Sequence, residues 1–162
     1  MKATTILGLD FGERRIGVAL SDIGKTLATG LTTLDRRQQP DYLSFLAEII
    51  REEDVESIVV GYPLRTDGKT VPGGKTEAVD AFIAELEARF GLPVHREDES
   101  FTSQMASQSL KARRSQGARR SQGDRGKKKR GRRNHGRDKA EIDRVAACYI
   151  LQDFLDHRGT VA

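Results

Sequence analysis

The chain has a single cysteine, Cys148, so no internal disulfide can form and a reducing cytoplasm is the expected compartment. It has no run near the ~20 apolar residues that a membrane crossing needs. The apolar stretch after Lys2 is cut short by Asp10, which argues against a secretion signal. His95, His135 and His157 lack the spacing of a metal site. A nucleotide-binding P-loop is missing too. Gly73-Gly74-Lys75-Thr76 resembles its tail, but Lys69 stands where the first glycine is required, and Pro63 holds that place before the Gly-Lys-Thr at 68–70. The free amides of a helix starting near Lys75 can still meet a phosphate. These absences leave a soluble protein with no membrane partner as the expectation.

Acid is scarce in one segment only. Residues 111–139 hold fourteen Lys and Arg against Asp124 and Asp138, while the rest of the chain holds fourteen basic and twenty-two acidic residues. The modest net charge of +4 therefore conceals an acidic body with one cationic stretch. A solvated, solubilising insertion would have that composition, but so concentrated a charge points to a polyanion, because cations that neutralise phosphates release counterions.

At 162 residues the chain is expected to form one domain spanning 1–162, interrupted by a flexible basic loop at about 114–138, where apolar periodicity is lost. Residues 4–10, 15–21 and 27–34 read as three strands of a meander, the first two joined by a turn at Gly12. Leu43, Leu46, Ala47 and Ile50 mark one face of a helix over about 41–53, and Ser57–Gly61 reads as a central parallel strand. Val79, Phe82, Ile83, Leu86 and Phe90 make the stripe of a helix over 75–90, stopped by Gly91 and Pro93. A short strand at 93–98 follows, then a helix capped by Thr102 or Ser103 and reaching about Arg113. The last helix is expected at about 139–156, with Asp138 and Glu141 as a capping pair. The expected class is α/β: a mixed sheet of three antiparallel meander strands and two parallel strands, flanked by helices.

Three acids fall where elements end: Asp10 after the first strand, Glu99 after the last, and Asp143 in the first turn of the final helix. Carboxylates from separate segments suit hard cations such as Mg²⁺ or Mn²⁺, and two such ions can promote phosphodiester cleavage. Each acid also has a plain structural reading, Asp10 as a turn residue and Asp143 at the positive end of a helix. Candidate phosphate contacts are Arg14 and Arg15 beside the hairpin turn, Lys75, Lys139 one helical turn before Asp143, and Arg113, Arg114, Lys127, Lys128, Lys129, Arg130, Arg132 and Arg133 in the basic segment.

Residues 6–22 (ILGLDFGERRIGVALSD), 59–63 (VVGYP), 98–103 (DESFTS) and 139–151 (KAEIDRVAACYIL) resemble the four signature blocks of the YqgF-type pre-16S rRNA nucleases, distant relatives of the Holliday-junction resolvases. The resemblance runs through nearly the whole chain and implies an RNase H-like fold. It implies a role in maturing the 5′ end of 16S rRNA in ribosome biogenesis, with Asp10, Glu99 and Asp143 as catalytic, metal-holding acids. Two departures stand out. Ser100 replaces the family's usual Arg after Asp98-Glu99, leaving Asp98 as a fallback ligand, and the basic segment is unusually long. The expected partners are thus precursor rRNA, with ribosomal particles or branched DNA as other candidates. Competing readings are a junction resolvase and a non-catalytic RNA-binding assembly factor. An actin-like ATPase is suggested only by the echo of a phosphate-binding hairpin in Asp10-Phe11-Gly12.

Overall fold

The computed structural model describes residues 2–63, 75–99, 108 and 135–160. Strands β1 (Thr5–Phe11), β2 (Arg15–Ser21) and β3 (Ala28–Asp35) form the meander. The turn between β1 and β2 is closed by the Gly12 amide donating to the Arg15 carbonyl at 2.8 Å. A Cβ at residue 12 would lie 2.6 Å from that same carbonyl oxygen, so the turn needs glycine. After helix α1 (Tyr42–Glu52), β4 (Val55–Tyr62) enters parallel to β1. Helix α2 (Lys75–Phe90) leads to β5 (Val94–Asp98), which is parallel to β4. The sheet order is β3-β2-β1-β4-β5, three antiparallel strands extended by two parallel ones, as the hydrophobic patterns predict.

Strand alternation divides the core between the two faces. Leu7, Leu9 and Phe11 of β1, with Ile58, Val60 and Tyr62 of β4, pack on one face against Leu46 of α1 and Phe82, Ile83 and Leu86 of α2. Ile6, Ala19 and Val59 on the other face pack against Ala147, Ile150 and Leu151 of helix α3 (His135–Thr160). Phe82 is 2% exposed, and its ring stacks on Phe11 with centroids 4.5 Å apart. Phe82→Ala should therefore cost about 3–5 kcal/mol in chemical denaturation, the range for truncating a buried phenylalanine.

Helix ends follow local chemistry where the sequence is explicit. The Asp41 side chain accepts from the Ser44 amide at 3.3 Å and caps α1. Gly91, with φ of 63°, ends α2 in the left-handed region and donates to the Glu87 carbonyl at 3.0 Å. The last helix corrects the expectation. It starts at His135 rather than 139, so Asp138 is not its cap and Asp143 is not in its first turn. Residues 135–138 contain no proline, and Gly136 costs only about 1 kcal/mol inside a helix, so nothing there stops the helix from running on. The expected helix from 102 or 103 to about 113 lies outside the described residues except for Gln108, and the expected loop at 114–138 lies outside them up to 134.

Candidate active site

Asp10 sits between Leu9 and Phe11, which both point into the core beneath α1 and α2, so alternation turns Asp10 to the α3 face. It is directly paired with Gly17 of β2. On its other side Leu9 pairs with Val60, which places Gly61 alongside Asp10 in β4. Asp10 is thus flanked on both sides by residues without side chains.

Each glycine makes room for another acid. A Cβ at Gly17 would run into the backbone carbonyl oxygen of Asp143 and stand 3.2 Å from the Arg144 nitrogen. A Cβ at Gly61 would meet the Ile150 Cδ1 and lie 2.8 Å from the Glu99 Oε2. The Glu99 amide donates to the Tyr62 carbonyl at 3.2 Å, holding Glu99 beside the end of β4. Asp143 therefore lies over one flank of Asp10 and the Glu99 carboxylate over the other. Glu99, not Asp98, supplies the carboxylate placed against Gly61.

Gly8 and Gly30 extend the pattern, with would-be Cβ atoms 2.7 Å from Leu151 Cβ and 2.8 Å from Arg144 Cγ. One glycine on each of four neighbouring strands lets α3 lie almost on the sheet backbone. The Thr33 hydroxyl fixes the near end of α3 by donating to the Ala140 carbonyl at 2.5 Å. These glycines are the functional residues that reading for charged groups misses. Their signal was nonetheless present, since a glycine inside a strand pattern marks a close backbone approach.

The correction to α3 also changes how Asp143 is understood. Helix-dipole stabilisation fades within the first turn, and Asp143 lies well beyond that turn, so the dipole does not account for an acid at this position.

Of the basic candidates, Arg14 is exposed in the turn beyond Asp10, with its Nε 3.5 Å from Asp35. The Arg37 amide, with the Arg14 guanidinium, holds the Asp35 carboxyl below the ordinary carboxylate range. Arg15 opens β2 and Lys75 opens α2. Lys139 is exposed on α3 one turn before Asp143. Arg113, Arg114, Lys127, Lys128, Lys129, Arg130, Arg132 and Arg133, like Ser100, lie outside the described residues.

The donors are all hard carboxylate oxygens, and by that chemistry the residues suit a hard divalent cation. Among the described residues, no three His, Cys, Asp or Glu side chains stand close enough together to hold an ion as they are.

A mixed five-stranded sheet of three antiparallel and two parallel strands, flanked by helices, is the RNase H-like fold of the resolvases. RuvC of T. thermophilus, solved with a Holliday junction substrate, superposes with a TM-score of 0.50 at 15% identity, covering 98% of both chains. The Fowlpox virus resolvase, solved with Holliday junction DNA, gives a TM-score of 0.55 at 10% identity over 96% of this chain and 99% of its own. At such identities the likeness is one of fold. Residues 4–157 match the RuvX family, described as a Holliday junction resolvase family, and the chain belongs to it. Relatives named "Putative pre-16S rRNA nuclease" include one from Syntrophus aciditrophicus, 42% identical over 93% of this chain and 87% of its own length. Another, from Moorella thermoacetica, is 40% identical over 95% of this chain and 96% of its own.

Proposed function

We propose that this chain is a divalent-metal-dependent nuclease that hydrolyses phosphodiester bonds of precursor RNA, in the cytoplasm, during maturation of the 5′ end of 16S rRNA. The observation that carries the reading is the placement of Asp10 between Gly17, over which the Asp143 backbone lies, and Gly61, against which the Glu99 carboxylate lies. Those three carboxylates would hold Mg²⁺ or Mn²⁺. Such ions, when bound, lower the pKa of a water and stabilise the leaving oxygen of a phosphodiester.

The protein's own groups then have distinct tasks. The carboxylates give the site a negative charge that needs a cation before a phosphate can approach. Lys139, one turn along α3 from Asp143, offers a positive charge beside that approach, as do Arg14 and Arg15 at the adjoining turn. The segment 111–139 supplies most of the remaining attraction for the polyanion. The names of the relatives support RNA as the substrate. No helix among the described residues is long and apolar enough to cross a membrane.

The direct test incubates the protein with labelled 16S precursor RNA in Mg²⁺, Mn²⁺ or EDTA, beside a variant lacking all three acids. Cleavage that needs metal and disappears in the variant is the expected result. Tight binding without cleavage under any condition would instead make the chain an assembly factor. The family description and the resolvase fold favour one further arm, a four-way DNA junction assayed in parallel. Faster cleavage of the junction than of the RNA would move the substrate to branched DNA.

Changing Lys127, Lys128, Lys129, Arg130, Arg132 and Arg133 together to Ala should weaken RNA binding while leaving the metal requirement unchanged. The slope of log affinity against log salt should flatten by about 0.7 for each single-strand phosphate that is no longer neutralised. An unchanged slope would show that these cations do not touch the substrate.

A further inference from the structure

A groove between β5 and the far half of α3 holds chemistry that the cleavage site does not use. It encloses about 680 Å³, and its lining includes Glu56, His95, Glu97, Phe154, His157 and Arg158. The rings of His95 and Phe154 stack, with centroids 5.1 Å apart and planes 30° from parallel. Nδ1 of His157 lies 3.2 Å from Oε1 of Glu97, and the Arg158 guanidinium lies 3.6 Å from Glu56. His157 and Arg158 stand at the rim, with side chains 76% and 50% exposed, whereas the Glu97 side chain is only 15% exposed. Since β5 is an edge strand, the groove opens sideways to solvent.

Its position ties it to the cleavage site. Glu97 and His95 lie on β5, two and four residues before Glu99, and all three face α3. At strand rise, His95 is about 13 Å from Glu99. A strand lying across the acids and leaving along β5 would pass directly over the groove.

We infer that this groove receives an unpaired nucleobase of the substrate RNA, a few nucleotides from the scissile bond. The inference rests on the nuclease reading of the acids. A stacked pair of flat rings at an open surface is the platform on which unpaired bases stack, whatever their sequence. Glu97 and Glu56 in the lining repel a phosphate, which leaves the backbone at the rim beside His157 and Arg158. Glu97 and Glu56 can only accept hydrogen bonds when ionised, so they favour a base that presents an exocyclic amine, as cytosine and adenine do and uracil does not.

The test uses the full chain carrying Asp10→Asn to prevent cleavage, with fluorescent oligo(C), oligo(A) and oligo(U) at raised salt, so that attraction to the basic segment is damped. Oligo(C) and oligo(A) should bind better than oligo(U). Adding His95→Ala should weaken oligo(C) binding about tenfold, within the range for losing one stacked base. His95→Phe should keep that affinity, because the platform survives. Glu97→Gln should bring oligo(C) and oligo(U) close together, since an amide can donate as well as accept. His95 is exposed, so a melting curve for His95→Ala that matches the parent's separates loss of stacking from loss of the fold.

Affinities unchanged in both His95→Ala and Glu97→Gln would overturn the groove. If the chain with Asp10 intact cleaves RNA in that case, the nuclease reading stands alone. Base-dependent affinity that these variants abolish, in a chain that cleaves no RNA with any metal, would keep the groove and remove the nuclease.

Discussion

Asp10→Asn should reduce metal-dependent cleavage by roughly 10²- to 10³-fold or more, the scale for removing one preorganised electrostatic group from an active site. The substitution is nearly isosteric and keeps an oxygen on the side chain, so the fold should hold. RNA affinity should hold or rise slightly, because one negative charge facing the phosphates is gone. Single-turnover cleavage with excess protein, measured beside binding to the same RNA, separates the two effects. Cleavage at the parent rate would remove Asp10 from the chemistry. Equal loss of binding and cleavage would make it a fold or docking residue instead.

Gly17→Ala and Gly61→Ala should fail in different ways. At Gly17 the new methyl meets backbone, the Asp143 carbonyl, which no rotamer change can move aside. Helix α3 must lift from the sheet, at the ~1–3 kcal/mol or more of overpacking, offset in small part by the loss of a flexible glycine from the unfolded chain. At Gly61 the new methyl meets the end of the Ile150 side chain and the Glu99 carboxylate, both of which can rotate away. That variant should melt close to the parent but lose cleavage, because Glu99 is displaced from beside Asp10. Paired melting and cleavage assays check this. Two variants that lose stability equally and keep equal activity would show that the glycines serve packing only.

The elements that were legible in the sequence are those whose burial is periodic. Leu43, Leu46 and Ile50 gave α1, the stripe from Val79 to Phe90 gave α2, and the alternation in the first 35 residues gave the meander. The start of α3 departs from the sequence pattern because Asp138 has the chemistry of a cap but not the backbone of one. A cap needs a residue outside the helix, and residues 135–138 are already inside it. Asp10, Glu99 and Asp143 could be picked out as acids near element ends, and the resemblance carried by 6–22, 98–103 and 139–151 linked them. Neither spacing nor composition could say that Asp143 approaches Asp10 through Gly17, since residues 17 and 143 are joined by packing alone.

The sequence by itself determined the five strands and the helices α1 and α2, and that cationic charge is gathered into 111–139. Those properties follow from local pattern and composition, which need no partner segment. Tertiary structure alone decided how near α3 lies to the sheet, which acid of the Asp98-Glu99 pair meets Gly61, and that β5 and α3 enclose a ring-lined groove leading from Glu99. These are distances between residues far apart in the chain. They are set where side chains are missing as much as where they are present, and a missing side chain has meaning only once its neighbour is known.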